Sequence, residues 1–182
     1  MRTLFHNKYR IETARYSNSD YNNGYFFVTF CTKNREHFLG EIIDNEMHLS
    51  EIGKYTLKTI NETSIWHPYC SVVTYVIMPN HVHAIFYVAY KSTSDYNDKN
   101  VIDNDINVNQ HMKDISHRKG KLSVAVGAIK STVKRYANDN DLPLEWQSRF
   151  HDHIIRDANE FNHIANYIEN NIFNWKSDCF GD

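Results

Sequence analysis

Apolar and aromatic residues occur in short bursts whose spacing changes along the chain, and each change marks an element. Asn22-Asn23-Gly24 is a turn signal that leads into Tyr25-Phe26-Phe27-Val28-Thr29-Phe30-Cys31, a continuous strand-like run. From Ser50, a good helix cap, Ile52, Tyr55, Thr56, Thr59, Ile60 and Thr63 recur at helical spacing until Trp66-His67-Pro68 ends the pattern. Val72 to Met78 reads as a buried strand, Pro79-Asn80 as a tight turn, and Val82 to Val88 as the returning strand of a hairpin. A second helix is predicted from about Leu122 to Ala137 with Val124, Ala128, Ile129 and Val133 on its inner face. Trp146 to Arg156 then reads as a ragged final strand, and Asp157 caps a last helix running through Asn171. On that helix Phe161, Ile164, Ala165, Ile168 and Ile172 form the apolar stripe.

The order β-α-β-β-α-β plus a helix predicts an α+β protein with a ferredoxin-like (split βαβ) fold: a four-stranded antiparallel sheet, helices on one face, and an added C-terminal helix. At 182 residues, with 41% hydrophobic and 14% aromatic content, residues 1–182 fit a single domain with a substantial core. Residues 91–118 are dominated by Asn, Asp, Lys and Ser and bury too little apolar surface to offset their ordering entropy, so a mobile insertion is expected there. There is no internal repeat.

A formal net charge of -2 argues against binding to nucleic acid by bulk charge; any such role needs a local patch. One exists: from Lys113 to Arg135 there are seven Lys or Arg residues against one acid, Asp114. Cys31, Cys70 and Cys179 are odd in number and far apart, which argues against a disulfide framework or a thiolate metal knuckle and fits a reducing cytoplasm. The N-terminus is too polar for a secretory signal and no apolar stretch is long enough to span a bilayer, so no membrane role is expected.

The chemistry concentrates in two places. His81 and His83 flank Val82 at the head of a strand, where residues two apart project from one face and aim both imidazoles at the same point. Alone, that spacing equally describes two packed or surface histidines. Tyr167 and Asn171, four apart, share a shoulder of the last helix, although a boundary tyrosine and a helix-end asparagine would look the same. Tyr136, next to Lys134 and Arg135, is a competing nucleophile because cations lower a phenol's pKa. His151-Asp152-His153 repeats the same-face spacing beside a carboxylate.

Tyr75-Val76-Ile77-Met78-Pro79-Asn80-His81-Val82-His83, Trp146-Gln147-Ser148-Arg149-Phe150 and Tyr167-Ile168-Glu169-Asn170-Asn171, taken in order and spacing, resemble the single-tyrosine HUH transposases, most closely the REP-associated tyrosine transposase branch. The resemblance spans roughly residues 24 to 176. It implies a metal-dependent endonuclease and strand transferase for single-stranded DNA, with a hairpin as target and DNA transposition as the outcome. It implies that Tyr167, on the C-terminal helix, is the nucleophile and forms a 5′-phosphotyrosyl intermediate, and that His81, His83 and Asn171 hold Mg²⁺ or Mn²⁺. Arg118, Lys119, Lys121, Lys130, Lys134 and Arg135 are the expected DNA contacts. The family pattern usually continues Asn-Pro, whereas Asn171 precedes Ile172, and Asn170 is an alternative to it. Whether the tyrosine serves its own subunit or the partner of a homodimer stays open. The rival reading is a non-catalytic single-stranded DNA or RNA binding module whose sheet aromatics, Tyr25 to Phe30, stack bases.

Overall fold

The computed structural model describes residues 23–89 and 120–175. The 91–118 segment, with Arg118, and also Lys119 lie outside the described residues. Chain order is β1 (Gly24–Cys31), β2 (Gly40–Ile43), β3 (Glu46–Leu49), α1 (Glu51–Asn61), α2 (Thr63–Trp66), β4 (Cys70–Ile77), β5 (His81–Val88), α3 (Lys121–Asp139), β6 (His151–Ile155) and α4 (Ala158–Asn170).

The main sheet has four strands in the order β4-β5-β1-β6, every neighbouring pair antiparallel. β5 therefore lies between β1 and β4, the two strands that the α1–α2 segment connects. Alternation along the central strands divides the core in two. Phe26, Val28 and Phe30 of β1 and Val82, Ala84 and Phe86 of β5 face α1 and α3, where Ile52, Ile60, Leu122, Val126 and Ile129 meet them. On the opposite face Val76, Ile85 and Ile155 pack against Phe161, Ala165 and Ile168 of α4. The last helix thus covers the face that α1 and α3 leave open.

Three features depart from the pattern reading. The β2–β3 hairpin was not legible as strands, yet Asp44 and Asn45, with φ of 51° and 63°, supply the two left-handed residues that a tight hairpin turn requires. On α3 the buried stripe is Leu122, Ala125, Val126, Ile129, Val133 and Ala137, so Val124 and Ala128 sit at its margin rather than its centre. The Trp146–Arg156 strand also contracts to β6, with Trp146 held separately by a bridge to Thr32.

Helix α1 is anchored to the turn that precedes His81. Ser50 caps it, accepting from Gly53 N–H at 3.0 Å while its hydroxyl donates to Phe38 O at 2.7 Å. Leu39, fully buried, donates its N–H to Pro79 O and accepts from Ser50 N–H. A Cβ on Gly53 would lie 2.0 Å from Leu39 O, so this close approach requires glycine.

Candidate active site

At the start of β5, His81 pairs with Cys31 of β1 and His83 with Thr29, which places both imidazoles on the sheet face covered by α4. Both are almost completely buried, at 0% and 1% exposure. Their rings lie 4.4 Å apart, centroid to centroid, and are nearly perpendicular.

Each ring is held by a neighbour. His81 Nδ1–H donates to Asn80 Oδ1 at 2.7 Å; since a carbonyl oxygen only accepts, this fixes the tautomer and leaves the lone pair on Nε2. His83 Nδ1 lies 2.6 Å from the hydroxyl of Thr29, directly across the ladder. Phe27 stacks on the His83 ring at 5.3 Å. Asn80 is fastened in turn, because its carbonyl accepts from both the N–H and the hydroxyl of Thr32, at 2.8 and 3.0 Å.

α4 brings Tyr167 to this pair. Asp157 starts the helix by accepting from the N–H groups of Asn159 and Glu160 at 2.9 Å each, and Phe161, Ala165 and Ile168 seat it on the sheet. The Tyr167 hydroxyl then lies 3.2 Å from His83 Nε2, with its ring edge-on to Phe27. Tyr167 keeps 37% of its surface open to solvent, in contrast to the two buried histidines.

Asn171 is the C-terminal cap residue, still in helical conformation and fully buried. It stands one turn after Tyr167, which touches His83, and one turn before Trp175, whose ring lies over His81 at 6.1 Å. The helix face that runs along the two histidines therefore carries Asn171 between those contacts. His81 Nε2 and Asn171 Oδ1 are both sealed from solvent. Among the described residues no three His, Cys, Asp or Glu side chains are grouped to hold a metal ion. What is present is two imidazoles with a neutral amide, a donor set that suits a divalent cation only when other oxygen ligands complete it.

The remaining candidates fall elsewhere. Tyr136 donates to Glu51 Oε1 at 2.7 Å and stacks on Tyr55 at 3.8 Å, beyond the sheet from the histidines. The hydrogen bond to Glu51 raises its pKa, opposite to the lowering that its cationic neighbours suggested. His153 pairs with Glu160 at 2.6 Å. α3 carries its cations on the far side of the sheet from Tyr167, and three are engaged within the fold. Lys121 donates to Ala89 O, Lys130 to Gln147 O and Arg149 O, and Lys134 to Leu144 O and Glu145. Burial lowers the pKa of Lys130. Arg135 lines a cleft of about 460 Å³ between α1, α2 and α3.

Thr29, Asn80 and Trp175 were not singled out from the pattern as site residues. Thr29 had a signal, as the one aliphatic hydroxyl inside an apolar strand; Asn80 had only its position before His81. Trp175 continues the four-residue step of Tyr167 and Asn171.

No family model matches the chain. A Haemophilus influenzae (strain Rd) protein named only as uncharacterized is 28% identical over 160 residues, which cover 85% of this chain and 83% of its own. Among solved structures, the REP-associated tyrosine transposase bound to a REP hairpin is matched with a TM-score of 0.51 at 19% identity, over 86% of this chain and 71% of that one. At that identity the likeness concerns architecture, and this chain has the α+β fold of a REP-associated tyrosine transposase, a four-stranded antiparallel sheet with helices.

Proposed function

We propose that the chain is a metal-dependent single-stranded DNA endonuclease and strand transferase of the single-tyrosine HUH type, acting at a DNA hairpin, and that its connectivity is the ferredoxin-like split βαβ. One observation carries the reading: the hydroxyl of Tyr167, a partly exposed residue, lies 3.2 Å from Nε2 of a buried histidine. A core tyrosine would turn its hydroxyl to water or backbone. Here the phenol oxygen is directed at a buried imidazole on a side chain that stays partly exposed.

In this reading the Tyr167 oxygen attacks a DNA phosphorus, a P–O bond to tyrosine forms, and the P–O3′ bond breaks. The tyrosine proton passes to solvent, and the leaving 3′-oxygen is protonated to a free hydroxyl. The bond energy stays in the 5′-phosphotyrosyl link, so a second 3′-hydroxyl can reverse the step and join strands. A phenol with a pKa of about 10 is about three units from ionised at neutral pH, roughly 4 kcal/mol to be made up. Mg²⁺ or Mn²⁺ held by His81, His83 and Asn171 would polarise the scissile phosphate and offset charge in the transition state. Thr29 and Asn80 hold the imidazoles in orientation for that role, and the Asn80 contact leaves the Nε2 lone pair of His81 available. Because all three donors are neutral, the phosphate itself balances the positive charge, which favours binding only with substrate in place.

The rival binding module requires an open aromatic sheet face. Phe26 and Phe30 are buried under α1 and α3, while Tyr25 packs edge-on to Phe161 and Phe27 lies under Tyr167. Tyr167→Phe is the test, since it removes one oxygen and keeps the ring. Wild type incubated with a single-stranded DNA hairpin and Mn²⁺ is expected to give a denaturant-resistant DNA adduct mapping to Tyr167, and the variant none. Cleavage by Tyr167→Phe at the wild-type rate would assign the nucleophile to water, and an adduct on Tyr136 would move the site to α3.

A further inference from the structure

Linked to the histidine pair through the end of β1 is a groove that the proposed chemistry does not use. Two segments, residues 33–35 after β1 and residues 145–149 before β6, enclose an open volume of about 790 Å³. Lys33, Arg35 and Arg149 line it together with Asn34, Trp146 and Gln147. Its one acid, Glu145, is already paired with Lys134 at 2.8 Å, and Glu36, next in the chain, is not part of the lining. The groove is therefore cationic in a chain whose net charge is -2.

The groove is built rather than incidental. Lys33 N–H donates to Glu145 O and Gln147 N–H to Cys31 O, while Thr32 bridges to Trp146, so the two segments are tied at their base. Lys130 and Lys134 clamp the second segment through four hydrogen bonds, to Gln147 O, Arg149 O, Leu144 O and Glu145 Oε1. Asn34 and Arg35 sit at φ of 55° and 60°, an unfavourable conformation for an arginine that the surrounding hydrogen bonds must hold. At the wall, the indole N–H of Trp146 is buried with no acceptor among the described residues.

It also adjoins the candidate active site. Cys31 is the ladder partner of His81, and Thr32, the next residue, holds the carbonyl of Asn80, whose side chain orients His81. The groove and the histidine pair are thus joined through the end of β1.

We propose that this groove binds the sugar-phosphate backbone of single-stranded DNA flanking the scissile phosphate, with Lys33 and Arg149 as phosphate contacts and Trp146 and Gln147 at the wall. The proposal rests on the strand-transferase reading. Cationic grooves lined with aromatic and amide groups suit single strands because charge tracks the backbone whatever the sequence. In this arrangement Lys130 and Lys134 are positioning residues that hold the 144–149 segment.

The test measures binding in the presence of a chelator, so that cleavage plays no part. A fluorescent single-stranded DNA of twenty nucleotides is titrated with wild type and with Lys33→Ala/Arg149→Ala, two exposed positions, across a salt series. Each lost phosphate contact lowers the log-log salt slope by about 0.7, so the double variant is expected to lose about 1.4 from the slope and about 25-fold in affinity near 0.1 M salt. Circular dichroism melts check that the variant is folded. A strand carrying 5-iododeoxyuridine, photo-crosslinked to the unaltered protein, is expected to mark residues 33–35 or 145–149, which keeps the proposal open to test if the variant does not fold. Unchanged slope and affinity, crosslinks confined to other segments, or no single-strand binding by wild type would overturn the groove. The covalent adduct at Tyr167 in wild type is scored separately, so a failed groove and a failed nucleophile are told apart.

Discussion

Replacing Thr29 with Val separates the support of the histidine pair from its packing. The two side chains have nearly the same volume, Thr29 is 4% exposed, and β-branching suits the strand, so neither a cavity nor a change of propensity is introduced. What is lost is the 2.6 Å hydrogen bond to His83 Nδ1, in a site where His83 is 1% exposed. A buried polar group deprived of such a bond costs about 1–3 kcal/mol, and the extra buried methyl returns somewhat under 1 kcal/mol, so a net loss of about 1–2 kcal/mol is expected. For a chain of this size that corresponds to a fall in Tm of about 2–8 °C, measured by circular dichroism. Thr29→Ser, which keeps the hydroxyl, should restore Mn²⁺ binding; in the Val variant that binding, followed by titration calorimetry with DNA present, should weaken about 10- to 100-fold. A Val variant as stable as wild type and with the same Mn²⁺ affinity would show that the hydroxyl neither supports the fold nor orients the ring.

Gly53→Ala reverses the usual helix preference: Ala gains about 1 kcal/mol in an open helix, but its Cβ would meet Leu39 O at 2.0 Å, so urea denaturation should show a net loss of stability. Lys130→Ala removes the donor to Gln147 O and Arg149 O and should raise hydrogen exchange in residues 145–150 while costing only about 1 kcal/mol globally. Burial alone would raise the pKa of Glu160, but hydrogen bonds from Arg156 N–H and His153 hold it below the ordinary carboxylate value. That stability is present above the unfolded-state pKa of about 4.3 and disappears as pH falls through the lower folded value, so Glu160→Gln should flatten the acid limb of a stability-pH curve.

Periodicity carried the main elements because each one buries a single face. The run from Tyr25 to Cys31, the helical spacing from Ile52 to Ile60 and the stripe from Phe161 to Ile168 follow from sorting apolar side chains into a core, and the structure contains β1, α1 and α4 there. Where burial is partial the pattern gave less. β2 and β3 alternate between half-buried and exposed residues, and their evidence was the turn at Asp44-Asn45 rather than any apolar run. On α3 the buried stripe is Leu122, Ala125, Val126, Ile129, Val133 and Ala137, and contact with α1 and the sheet decides that this face, rather than the one through Val124 and Ala128, turns inward.

The candidate site divides along the same line. His81 and His83 share a face by strand geometry, and Tyr167 and Asn171 share a shoulder by helix geometry, so each pair was legible from local spacing. That the two pairs meet was not, because His83 and Tyr167 are 84 residues apart and meet only when α4 packs on Val76, Ile85 and Ile155. Tertiary structure also decided what each cation does. The sequence determined that Lys130, Lys134 and Arg135 are concentrated in one segment, but a lysine's role depends on what its ammonium reaches. Folding α3 onto the face opposite α4 placed Lys130 and Lys134 against the carbonyls of residues 144–149. The segment that those lysines hold, tied to the end of β1 by the pairing of Thr32 with Trp146, sets Arg149 around one groove with Lys33 and Arg35. No periodicity records such a meeting, since it depends on contacts more than a hundred residues apart.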